Sequence, residues 1–95
     1  MPYQEWGKFE WDDEVKKNGN TQHLRDHNIE PDEAEECFFH EYDICLDERR
    51  FDDVYILTGR THRGRRLRLV FQDKGKGVAR VFTGWDLKPD KKRKR

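Results

Sequence analysis

Between residues 53 and 85 the chain changes to a two-residue hydrophobic period, and that change limits the folds open to it. The segments DVYILTG (53–59), RRLRLVFQ (65–72) and GVARVFTGW (77–85) alternate, or are β-branched and aromatic, which is the signature of half-buried strands. In the middle segment Leu67, Leu69 and Phe71 fall on one side, and Arg66 and Arg68 on the other, because successive side chains of a strand point to opposite faces. Gly59 to Gly64 closes a first hairpin, and Asp73 to Gly77, with two glycines, closes a second. Strands joined in order by such short links predict an antiparallel meander.

The first half follows a different pattern. GKFEW (7–11) suits a short edge strand. DDEVKK (12–17) places acids before bases, which favours a short helix through its dipole. NGNT (18–21) breaks it. A helix is expected from Thr21 to His27, with Asn28 as the left-handed residue after it and Ile29 folding back on Leu24. EPDEAEECFF (30–39) reads as a further helix. Pro31 fits its first turn, Asp32 and Glu33 its positive end, and Ala34, Cys37 and Phe38 form one apolar face. DLKPDKKRKR at the end begins as a short C-terminal helix, with Pro89 in its first turn, and finishes as a basic tail over 88–95. The plan is α+β, with an N-terminal strand and helices packed on one face of the meander and arginines on the other.

Ninety-five residues suit a single domain, 1–95. Charged residues make up 42% and apolar residues 33%, which leans towards disorder. Six Phe, three Tyr and three Trp lean the other way, because each removes a large apolar area from water. The zero net charge hides a split. Residues 1–50 hold six Lys/Arg against fifteen Asp/Glu, and residues 51–95 hold fourteen against five. Such asymmetry points to a polyanionic partner for the basic half, or to mutual pairing of the halves in the fold. Cys37 and Cys45 form no CxxC and no metal-spaced set, so a reducing compartment is expected, with Cys37 as a buried hydrophobe. No apolar stretch approaches the ~18 residues of a membrane span, and no signal-peptide core is seen. No membrane partner and a cytoplasmic location are the expectation.

Metal-independent RNA cleavage needs a base for the 2′-hydroxyl proton, cations for the phosphorane and an acid for the leaving oxygen. Arg60, His62, Arg65 and Arg66 cluster on the first hairpin and its flanks, and Arg68 and Arg80 are expected to join them from neighbouring strands. Arginine forks match phosphate oxygens in two-point contacts, and imidazole titrates near neutrality. Arg60, His62, Arg65 and Arg80 are therefore the catalytic candidates, with Arg63, Arg66 and Arg68 as RNA contacts. The plainer alternative is that Arg63 to Arg68 solubilise an exposed sheet face and His62 is an ordinary loop residue. His23 and His27 stand four apart, a possible metal spacing, but no further ligands accompany them, and capping or packing is the favoured role. His40 has no clear partner in the sequence. Trp6 and Trp11 are assigned to core or interface. Trp85 is open to burial or to stacking on a base.

In their order and spacing, FEWD (9–12), HLRDHNI (23–29) with Glu33, Ala34 and Phe38, Arg50, GRTHRGRRL (59–67) and ARVFTGWD (79–86) make a chain that resembles the BrnT toxins of bacterial type II toxin–antitoxin modules. The resemblance spans roughly residues 9–90. It implies a small RelE-like fold and a metal-independent endoribonuclease without cofactor. It also implies RNA as substrate, neutralisation by a BrnA-like antitoxin, and operator DNA reached through the antitoxin complex. The chain departs from the family pattern at Thr83-Gly84-Trp85, where members end the strand in "SAR" or "TAR", and at Lys91, where members carry Glu. These positions belong to the family's active surface, so Trp85 and Lys91 join the candidate RNA contacts. The alternative is a non-catalytic module on the same fold that binds nucleic acid or antitoxin.

Overall fold

The computed structural model describes residues 6–47 and 53–87. The elements run β1 (Lys8–Phe9), α1 (Asn20–Asp26), α2 (Pro31–Cys37), β2 (Asp43–Leu46), β3 (Val54–Arg60), β4 (Arg66–Gly75) and β5 (Val78–Asp86). Five strands form one mixed sheet in the order β1-β5-β4-β3-β2. β3, β4 and β5 are the antiparallel meander that the alternating segments predict. Two strands flank it: β1, inside the short edge strand expected over 7–11, and β2, where no strand was expected. β1 pairs in parallel with β5, Lys8 opposite Val78. β2, in a stretch without a clear strand signature, pairs antiparallel with β3 at the other edge, and all four of its residues are exposed.

The alternation in β4 decides the layering. Leu67, Leu69 and Phe71 are fully buried and join Leu57 of β3 and Ala79 and Val81 of β5 on one face. Leu24, Ile29, Ala34, Cys37 and Phe38 cover that face from the helical side. Each buried Leu or Phe contributes ~1.5–3 kcal/mol of apolar burial. Rings add directional packing: Phe38 and Phe71 meet edge to face at 5.0 Å, and Trp6 and Phe71 at 4.9 Å.

α1 ends as its sequence predicts. Asn28 has φ 64°, and the Ile29 N–H donates to the Leu24 carbonyl at 2.9 Å, which closes the helix with a left-handed residue. α2 starts with Pro31, and the Glu33 carboxylate accepts the Glu30 N–H at 3.1 Å. The expected helix over 12–17 is absent. Its acids are used in tertiary bonds instead: Asp12 accepts the Asn20 N–H at 2.9 Å and binds Arg80. A helical turn there gains less than those contacts. The expected C-terminal helix and the basic tail lie outside the described residues. No helix among the described residues is long and apolar enough to cross a membrane.

Candidate nucleic-acid interface

The β3–β4 hairpin carries most of the predicted site, and its turn is tightly bonded. The Thr61 N–H donates to the Arg65 carbonyl at 2.8 Å, the Gly64 N–H to the Thr61 carbonyl at 2.9 Å, and the Arg65 N–H to Thr61 Oγ1 at 3.1 Å. Gly64 takes φ 90°, a conformation that costs glycine little. α2 clamps this hairpin from the helical side. A Cβ on Gly59 would lie 3.1 Å from the Cys37 carbonyl oxygen, so glycine lets β3 and α2 approach. Glu36 Oε1 accepts the His62 N–H at 2.9 Å, and Glu33 Oε1 accepts from Arg65 Nη1 at 2.8 Å.

On the opposite sheet face, register brings cations together. Arg60 lies directly across from Arg66, and Arg68 lies between Thr58 and Trp85. Among the described residues Arg60, Arg63 and Arg66 have no acidic partner, and Arg68 donates only to Thr58 Oγ1 at 3.2 Å. Arg60, Arg63 and Arg66 are exposed, and Trp85 keeps 40% of its surface in solvent. Like charges set directly opposite across strands oppose folding. Held without a neutralising carboxylate, they leave a positive field for an anionic partner.

Two of the expected catalytic arginines stand elsewhere. Arg65 points to the helical side, its Nε donating to Asp86 Oδ2 at 2.9 Å and its Nη1 to Glu33. Partial burial pulls its pKa down, but the bonds to Asp86 and Glu33 outweigh that and raise it. Arg80 does not join Arg68. It is opposite Gln72, four residues along β4, or about 13 Å at ~3.3 Å per residue. Its Nη2 donates to Asp12 Oδ2 at 2.7 Å, with Glu10 at 3.4 Å from Nη1. The hydrogen bond to Asp12 raises the Arg80 pKa, against some desolvation. Arg80 lines a cleft of about 350 Å³ with Asn20, His23, Phe82 and Thr83. Lys91 lies outside the described residues.

His62 has neighbours that the sequence did not announce. Its Nδ1 is 2.7 Å from Nε2 of His40, and its Nε2 is 3.9 Å from Glu36 Oε2. The rings of His40 and His62 meet edge to face at 4.9 Å. His40 and Glu36 were thus missed as site residues. The one usable signal was the three-residue spacing of Glu33 and Glu36, which sets both on one face of α2. His23 and His27 pack ring to ring at 5.0 Å, and His23 Nε2 meets Thr83 Oγ1 at 3.0 Å. Among the described residues no group of three His, Cys, Asp or Glu is arranged to hold a metal ion. Comparison of the chain with protein-family models, with curated proteins and with solved structures returns no match.

Proposed function

We propose that this chain binds RNA through the outer face of the β3–β4 hairpin. The observation that carries this reading is the Arg60–Arg66 pair, two cations opposite each other with no acid among the described residues to neutralise them. Arg63 and Arg68 extend the cationic surface along the phosphate path. Trp85, beside Arg68, supplies an aromatic face on which a base stacks. Unstructured RNA fits such a surface better than a duplex, since bases must be free to stack. The BrnT resemblance extends the reading to a metal-independent endoribonuclease of RelE-like fold, acting in the cytoplasm and held by a BrnA-like antitoxin. Its catalysis would then rest on Arg60, on His62 of the hairpin and on the neighbouring His40.

A non-catalytic binding module is the second reading. The ion pairing of Arg65 and Arg80 favours it, because a guanidinium committed to carboxylates has less charge to offer a phosphorane.

The test is titration of a mixed-sequence, end-labelled single-stranded RNA at several salt concentrations, with fluorescence anisotropy of the label as the reporter. Each phosphate contact removed by Arg60→Gln, Arg66→Gln or Arg68→Gln is expected to lower the log–log salt slope by about 0.7. An unchanged slope in the triple variant would sink the RNA reading.

A further inference from the structure

We infer that His40 is the catalytic base of the site, with His62 and Glu36 as its positioning residues. This rests on the RNA reading above and adds to it the group that touches the substrate.

Both ring nitrogens of His62 face a polar neighbour. Nδ1 meets His40 Nε2 at 2.7 Å, and Nε2 faces the Glu36 carboxylate at 3.9 Å. The second distance is a charge proximity and too long for a hydrogen bond, and from it we assign the tautomer. A carboxylate beside Nε2 favours a proton there and disfavours a lone pair. Nδ1 of His62 is then the acceptor, and His40 Nε2–H is the donor. That leaves the lone pair of His40 on Nδ1, which bonds nothing among the described residues, and His40 is exposed. The order carboxylate, inner imidazole, outer imidazole extends the arrangement in which a carboxylate orients a histidine base.

The scaffold holds this row in place. Glu36 is pinned by the His62 N–H at 2.9 Å, and α2 is tied to the same hairpin by Glu33 and Arg65 at 2.8 Å. His62 sits in the hairpin turn, with Arg60 two residues before it and Arg63 next to it in the chain, both exposed and without an acidic partner among the described residues. Glu41 and Asp43, one and three residues after His40 in the chain, are further acids nearby in sequence and are exposed.

The step balances without a metal or cofactor. His40 Nδ1 takes the proton of an RNA 2′-hydroxyl. The 2′-oxygen forms a bond to phosphorus, and the bond from phosphorus to the 5′-oxygen breaks. That oxygen leaves with a proton from water, and His40 returns its proton to solvent. The products are a 2′,3′-cyclic phosphate and a 5′-hydroxyl. The His40 imidazolium formed on the way donates to His62 Nδ1, and the Glu36 charge stabilises the pair.

The experiment follows binding and cleavage of one single-stranded RNA by the full chain in EDTA. Wild type is expected to leave cyclic-phosphate and 5′-hydroxyl ends. His40→Gln should lower kcat by about 10²–10⁴-fold with an unchanged Kd, and free imidazole should restore cleavage to His40→Gly. Glu36→Gln, with the fold checked by circular dichroism, should lower kcat without weakening binding. A His40→Gln variant that cleaves like wild type, 5′-phosphate ends, or RNA bound but never cut each overturn the assignment and leave the binding reading standing. Failure of wild type to bind RNA overturns both.

Discussion

Arg80 and Asp12, 68 residues apart in the chain, meet with Nη2 and Oδ2 at 2.7 Å. This contact joins the basic half of the sequence to the acidic half. It also spends the charge of an arginine that the sequence offered for catalysis. The Arg80 hydrogen bond, aided by the Asn20 N–H, holds the Asp12 carboxyl at a pKa of about 2, below its ordinary 3.8.

The pH dependence follows from that depression. A carboxylate with a lowered folded pKa contributes stability that is complete above its unfolded pKa and is lost as pH falls through the folded one. Wild type should therefore be more stable than Asp12→Asn at pH 5, and the two should converge between about pH 4 and pH 2. Thermal unfolding across that range checks this, and parallel curves would refute it.

Asn20 is a buried polar bolt. Its Nδ2 donates to the Glu10 and Val81 carbonyls, both at 2.9 Å, and its Oδ1 accepts the Asp12 N–H at 2.8 Å. Asn20→Ala leaves all three groups unpaired and should cost about 2–4 kcal/mol in urea unfolding. Asn20→Asp should also destabilise, since it cannot donate to the carbonyls and adds a charge beside Asp12.

Arg65 and Arg60 should separate stability from binding. Arg65→Gln removes bonds to Glu33 and Asp86 and is expected to lower stability by about 1–3 kcal/mol. Arg60→Gln relieves a like-charge pair and should leave stability unchanged or slightly higher, while weakening RNA. Chemical denaturation and RNA titration of both variants provide the check.

The fold refuses a methyl group at Gly84. A Cβ there would lie 2.9 Å from the Arg68 carbonyl oxygen and 2.6 Å from Leu69 Cδ2. Leu69 can rotate away, but the backbone oxygen cannot. Gly84→Ala should cost about 1–3 kcal/mol, seen as a lower Tm.

The two cysteines should differ sharply towards thiol reagents. Cys37 is buried, and desolvation, with Glu36 and Glu33 adding to it, pushes its thiol up to about 12. Cys45 is exposed on β2. A maleimide should label Cys45 alone in native protein and both after unfolding. Native labelling of Cys37 would contradict the packing of α2.

The alternation of Leu67, Leu69 and Phe71 with Arg66 and Arg68, and the Leu24–Asn28–Ile29 ending of α1, were legible in the sequence. They depend on local periodicity and on one residue's backbone preference. β2 was not legible, because DICL becomes a strand only by pairing with β3, and neither was the parallel pairing of β1 with β5. The fate of each charge was also beyond the sequence. Fourteen basic residues follow position 50, but composition is the same whether an arginine meets water or a carboxylate. Register and the placement of α2 decided it, pairing Arg65 and Arg80 with acids, leaving Arg60 opposite Arg66, and setting His40 against His62. Ion pairs and imidazole contacts act over a few ångströms, so they belong to residues distant in sequence that only the tertiary structure brings within reach.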